Sequence, residues 1–214
     1  MPNIPPHPLR ALSALLLVIF ALFAAQPALA QRSAKLQEYL DKAEAISARH
    51  GMVLGNPRGT LTVYKFFDYN CPYCRAAVPF MERMMKQYPQ LKLVVIDDPS
   101  LGQDSVEVAI AMAQIPAAKR HKAHLAALGP GKRNAAWVAA YAKSIGVTLA
   151  PWDATDNPQV RQIRTDIGFN RSLARAIGFN GVPGFVVGNQ YFNGFDEQAI
   201  AKAICQESGR KNCG

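Results

Sequence analysis

The sequence predicts an α/β fold whose sheet is interrupted by an all-helical insertion, on three observations. Two apolar stretches, Leu61 to Phe67 and Leu91 to Ile96, read as buried strands and flank a helical segment from Cys71 to Tyr88. From Asp104 to Ile177 the composition turns Ala-rich and helical. Strand-like text then returns around Val186 and Tyr191-Phe192, ahead of a last helix. Strand, helix, strand, helical block, strand, strand, helix is the order of a sheet with a helical unit spliced into it.

Residues 1–30 carry the pattern of a secretory signal peptide. Arg10 is their only charged residue, Ala11 to Ala25 is a stretch of fifteen that is apolar but for Ser13, and Ala28-Leu29-Ala30 after Pro27 supplies a small-x-small cleavage site. A spanning anchor wants about 20 apolar residues, so cleavage after Ala30 and export are expected. Residues 31–54 are expected to hold an N-terminal helix, with Leu36, Leu40 and Ala43 on its apolar stripe and Gly51 at its end. Gly55-Asn56-Pro57-Arg58-Gly59 is a turn cluster that opens the first sheet segment, 55–103. Leu61 to Phe67 is rich in β-branched and aromatic residues, and Asp97-Asp98-Pro99 closes the second strand. Pro116, Gly129-Pro130-Gly131, Gly146 and Pro158 cut the insertion, 104–177, into about four helices. In the closing segment, 178–214, Asn189-Gln190 turns one strand into the next and Asp196 caps a helix running to Glu207.

Composition narrows the class. A chain of 214 residues, half apolar and 18% charged, can bury one substantial core. Fifteen Gly and fifteen Pro exclude collagen-like and low-complexity chains. Four cysteines are too few for a disulfide scaffold, and the net charge of +9 speaks of anionic surroundings rather than of fold.

Cys71-Pro72-Tyr73-Cys74 follows a strand and opens a helix. At that position the Cys71 sulfur meets the free N–H groups and the positive end of the helix dipole, which favour the thiolate, the reactive form. Cys74, one turn inside, is more shielded and suits the resolving role. Pro72 costs nothing in the first turn, where its missing N–H has no partner to lose. A structural disulfide and half of a zinc site are the alternatives, but zinc wants a second close pair and Cys205 and Cys213 stand eight apart. In an exported protein those last two cysteines are expected to form a structural disulfide; the alternative, a second redox pair, fits their spacing and terminal location less well.

Phe66-Phe67-Asp68-Tyr69-Asn70-Cys71-Pro72-Tyr73-Cys74-Arg75 resembles the active-site stretch of the DsbA-family thiol oxidoreductases of bacterial periplasms. Pro79 matches the kinking proline of the thioredoxin-fold active-site helix, and Gly181-Val182-Pro183-Gly184-Phe185 resembles the loop whose proline is cis in that fold. Leu101 to Ser105 and Leu173 to Gly178 fit the same family, so the resemblance spans residues 55 to 207. It implies a thioredoxin-like fold with an inserted helical domain and a periplasmic location. It also implies Cys71 and Cys74 as the catalytic pair, and Val182 and Pro183 as the substrate-binding loop.

One departure stands out. The family usually carries a glutamate where this chain has Lys65. Lys65 alternates with apolar neighbours in its strand, and a buried ammonium is costly unless paired. Lys65 is therefore expected either to pair with Asp97 or Asp98, as a proton relay of reversed polarity, or to snorkel to solvent.

Other polar residues read more plainly. His121 and His124 share a helix with Lys119, Arg120 and Lys122 and are expected on a solvated basic face rather than at a metal. Asp68 is read as a cap or a relay. Tyr73 brings no charge to the dipeptide between the cysteines, so the pair is expected to be less oxidising than a Cys-Pro-His-Cys pair.

The expected function is thiol:disulfide oxidoreduction of other exported proteins, with no metal or organic cofactor. The expected partners are unfolded or partly folded exported substrates and a redox partner that regenerates the pair. Nucleic acid is not among them, and a monomer is favoured. A disulfide reductase or isomerase, and a copper-handling thiol protein, are the alternatives.

Overall fold

The described residues fall into two units, one ending at Asp41 and one beginning at Lys42. A computed structural model describes residues 34–213, so the expected signal peptide lies outside the described residues. In the first unit, residues 34–41 begin helix α1 (34–49), where Gln37 Nε2 donates to Asp41 across one turn at 2.7 Å.

The second unit is built on a five-stranded sheet: β1 (Met52–Gly55), β2 (Leu61–Phe67), β3 (Leu91–Asp97), β4 (Gly184–Val187) and β5 (Gln190–Asn193). The strands lie in the order β1-β3-β2-β4-β5. β2 and β3 run parallel, with Lys65 opposite Val95 and Phe67 opposite Asp97, and the other pairings are antiparallel. The parallel pair requires a crossover, and helix α2 (Pro72–Gln87) provides it. Helices α3 (Gln103–Ala113), α4 (Ala117–Ala127), α5 (Ala135–Ser144) and α6 (Pro158–Ile177) form the insertion between β3 and β4, and α7 (Glu197–Glu207) closes the chain.

Strand alternation sorts the core into two layers. Val63, Phe67, Leu93, Val95, Phe185 and Val187 share a core with Ala77, Phe80 and Met81 of α2 and Ile200 and Ala203 of α7. Lys65 is on that same face of β2 by its period. On the opposite face Phe66 meets the Phe179 ring edge-on at 5.2 Å. Within the insertion, Ile110 and Ala113 of α3 pack on Val160, Ile163 and Ile167 of α6.

Two expectations are corrected. Residues 52–54, included in the N-terminal helix segment beyond its Gly51 end, and Gly55 of the turn cluster form β1 on the edge of β3. Four residues between Gly51 and a turn cluster carry too short a pattern to register as a strand. The solvated basic face of α4 is half wrong, because Arg120 and His124 are buried with Ala123 and Ala127. These positions have the spacing of an inward stripe, and the alanines leave room for the two long side chains. Arg120 caps the end of α3 by donating to the carbonyls of Ala113 and Ile115, and it also reaches Gly51 O.

Candidate active site

The site forms where β2 runs into α2. Cys71 is the N-cap of α2, with extended backbone (φ −81°, ψ 117°), and Pro72 occupies the first helical turn. Its Sγ accepts the Cys74 N–H at 3.2 Å. On its other side the Cys71 thiol donates to the carbonyl of Val182 at 3.3 Å, and the Val182-Pro183 bond is cis. The structure thus brings together Cys71, Cys74, Val182 and Pro183 from segments more than a hundred residues apart.

The two thiols are electrostatically unlike. The Cys74 thiol donating to it, helped by the N–H groups of Cys74 and Tyr73, pulls Cys71 down from the ordinary thiol range to about 7, against the opposing effect of burial. Burial pushes Cys74 well above the ordinary range, and its hydrogen bond to Cys71 adds to this. Cys71 is therefore the more readily ionised of the two sulfurs, and Cys74 the one that holds its proton. Both are free thiols. Tyr73, between the two cysteines, is 69% exposed.

Lys65 makes neither of its expected arrangements. It is only 3% exposed, so it does not snorkel, and no carboxylate pairs with it among the described residues. Its Nζ donates to the carbonyl of Cys74 at 3.0 Å and lies 5.2 Å from the Phe67 ring centroid. Desolvation lowers Lys65 to about 8, and the nearby Cys74 and Cys71 charges oppose the shift.

Strand register explains why the expected pair with Asp97 or Asp98 does not form. Asp97 is in register with Phe67, two residues beyond Val95, which faces Lys65. Two residues are about 6.6 Å of strand. Asp97 answers instead to the charge of Arg120, although burial still pushes it up to about 7. Asp98 alternates to the other face, where Arg171 and Arg175 of α6 offset a burial that raises it to about 6.

Asp68 takes the cap reading expected for it, while its neighbours around the cysteines had little sequence signal. Asp68 is a cap with four donors: Asn70 N and Ser105 Oγ on one oxygen, Ser100 N and Leu101 N on the other, at 2.7 to 3.1 Å. Asn70 and Arg75, on either side of the cysteines, bond to the α4–α5 loop. Asn70 exchanges two hydrogen bonds with the Arg133 backbone, and Arg75 donates to the carbonyls of Gly129 and Gly131. His124, 4% exposed, sits against Phe67 and shares a 3.1 Å hydrogen bond with the Tyr69 hydroxyl. Desolvation holds it neutral, near 3. Apart from the local bond between Asn70 and Asp68, these contacts join residues 32 to 63 apart in sequence, which no local spacing reports. Away from this site, Cys205 and Cys213 form a disulfide.

Comparison with known proteins gives a consistent picture. A family described as Thioredoxin matches residues 47–206. A thioredoxin-like oxidoreductase from Silicibacter pomeroyi DSS-3 is 33% identical, with 74% of this chain covering 91% of that one at a TM-score of 0.62. A periplasmic thioredoxin-like protein from Salmonella enterica serovar Typhimurium is 21% identical, over 76% of this chain and 95% of that one, at a TM-score of 0.61. The thiol-disulfide exchange protein alpha-DsbA2 from Wolbachia pipientis is 20% identical, over 81% of this chain and 97% of that one, also at 0.61. No curated protein matches the chain.

Proposed function

Because the chain belongs to the thioredoxin family and has the DsbA-like form of its fold, we propose that it is an exported, periplasmic thiol:disulfide oxidoreductase acting on other exported proteins through Cys71 and Cys74. The observation that carries this reading is the contrast between the two sulfurs. Cys71, whose Sγ takes the Cys74 N–H at the helix start, ionises the more readily, while burial keeps the proton on Cys74.

The reaction follows from that contrast. A substrate thiolate attacks Sγ of Cys71 in the oxidised pair, the Cys71–Cys74 bond breaks, and Cys74 leaves with the electron pair and takes up a proton. A second substrate thiolate then attacks the substrate sulfur of the mixed disulfide and expels Cys71 as a thiolate. The substrate loses two electrons, the pair gains them, and a redox partner's disulfide regenerates it. No cofactor takes part. Val182 and Pro183 line the substrate side, where an extended segment of an unfolded or partly folded protein adds along the main chain beside Cys71. Lys65 is the proton-handling group for Cys74, because the charge of each affects the ionisation of the other. Residues 1–30 act as the signal peptide, and residues 104–177 as the inserted helical domain.

Direction of exchange is set by how strongly the thiolate is held. Cys71 near 7 matches thioredoxin (about 7) rather than DsbA (about 3.5). Tyr73 adds no positive charge. The pair is therefore a weak oxidant, suited to exchanging disulfides between proteins. Equilibration with glutathione tests this: a potential between about −270 and −180 mV is expected. A value near −120 mV, that of a strong oxidant, contradicts it.

A further inference from the structure

We propose that the cavity between α2 and α4 binds a small monocarboxylate with an apolar body about the size of a benzene ring, its head group held by the ammonium of Lys65. The proposal goes beyond disulfide exchange and does not depend on it.

The cavity has a volume of about 160 Å³. That is close to the roughly 150 Å³ of an apolar cavity that stays dry and takes up benzene. Val78, Met81 and Met85 of α2, Leu93 and Val95 of β3, and Leu125 of α4 form its apolar walls. Lys65 and His124 are the buried polar side chains on it, and Glu82 and His121 stand exposed at its mouth.

Lys65 points to an anion. An ammonium has three donors, and Lys65 spends one on the carbonyl of Cys74. Among the described residues no carboxylate lies within ion-pair distance of it. A cation this deeply buried carries a desolvation cost that a counter-ion offsets. His124 cannot serve, because its Nδ1 is engaged by Tyr69 and its ring is neutral. The cysteine charges offset this cost only in part; a carboxylate within ion-pair distance completes the offset and accepts the free N–H groups, while the walls accept only apolar surface. A single ring or a short aliphatic chain fills the volume; a second charge on the ligand would have no partner there.

The test titrates the protein with benzoate, benzyl alcohol and benzylamine at pH 7 by calorimetry. Benzoate is expected to bind one to one, at least tenfold tighter than benzyl alcohol, and benzylamine not at all. Lys65→Met is expected to lose the tenfold preference while still binding the alcohol, which shows that the cavity has survived. Leu125→Trp, a change at the exposed mouth, is expected to weaken benzoate at least fivefold at an unchanged Tm. Equal affinity for benzoate and the alcohol, benzoate affinity undiminished in Lys65→Met, or no binding of benzoate overturns the proposal. Disulfide exchange measured on the same samples is a separate readout: its absence beside intact benzoate binding contradicts the redox reading alone.

Discussion

Lys65 Nζ donates a 3.0 Å hydrogen bond to the main-chain carbonyl of Cys74, so a buried cation sits directly under the first turn of the active-site helix. The contact follows from two periodicities. Lys65 shares the α2 face of β2 with Val63 and Phe67, and Cys74 is on the buried side of α2. The lysine thus reaches the resolving cysteine rather than the carboxylates at the end of β3.

Lys65→Met is expected to stabilise the protein at neutral pH. Lys65 loses its proton near 8 in the folded chain and near 10.5 when unfolded. Between those values the unfolded state binds more protons, so stability rises with pH; below 8 the full cost of the buried charge is present. Replacing the ammonium with a methionine should add about 1 to 3 kcal/mol at pH 7, with the gain vanishing toward pH 10.5. Denaturant titrations at the two pH values check this. The same variant should resolve a Cys71 mixed disulfide about tenfold more slowly, since the Cys74 thiolate loses its neighbouring cation.

His124 and Asp98 should shape the pH profile with opposite signs. His124 falls from 6.5 to about 3 on folding, so its contribution is lost as pH drops from 6.5 toward 3. His124→Gln, which can still bond the Tyr69 hydroxyl, should flatten that acid decline. Asp98 rises from 3.8 to about 6, so its favourable contribution is complete below 3.8 and lost as pH rises through 6. Asp98→Asn should therefore gain about 1 kcal/mol above pH 7 and nothing near pH 3.5, after allowance for solvent screening. Urea melts at pH 3.5, 5 and 7.5 separate the two; a gain for Asp98→Asn at pH 3.5 contradicts the assignment.

What the sequence revealed was what local pattern encodes. β2 coincides with the expected Leu61 to Phe67, and α7 with its Asp196 cap ends at Glu207 as expected. The meeting of the cysteine pair with the Val182-Pro183 loop was expected from the resemblance alone, in which that loop lies against the pair. The partner of Lys65 was not legible. Its choice between Cys74 O and Asp97 turns on strand register, and a two-residue offset in a parallel pair leaves no mark in either strand's own pattern. The burial of Arg120 and His124 was missed for a related reason: charged residues on an inward stripe look like a solvated face until the carbonyls and hydroxyl that receive them are known.

Removing the Cys205–Cys213 disulfide should cost stability without touching the chemistry. The bond closes a loop with a sequence separation of 8 at the end of α7. Loop-closure entropy gives about 2 to 3 kcal/mol for a loop of that length. A Cys205→Ala, Cys213→Ala double variant should show that loss in denaturant melts while its Cys71 ionisation stays as in the parent. A shift in Cys71 ionisation would tie the terminal bond to the active site.

The most direct test of the account is the ionisation of Cys71, followed by thiolate absorbance against pH on the reduced protein, with Cys71→Ser to identify the signal. A single step with a midpoint near 7 that disappears in Cys71→Ser is expected, with no second step from Cys74 below pH 10. A midpoint at or above 9, the ordinary value of a thiol, or a low step that survives in Cys71→Ser, would contradict the assignment of Cys71 as the nucleophile.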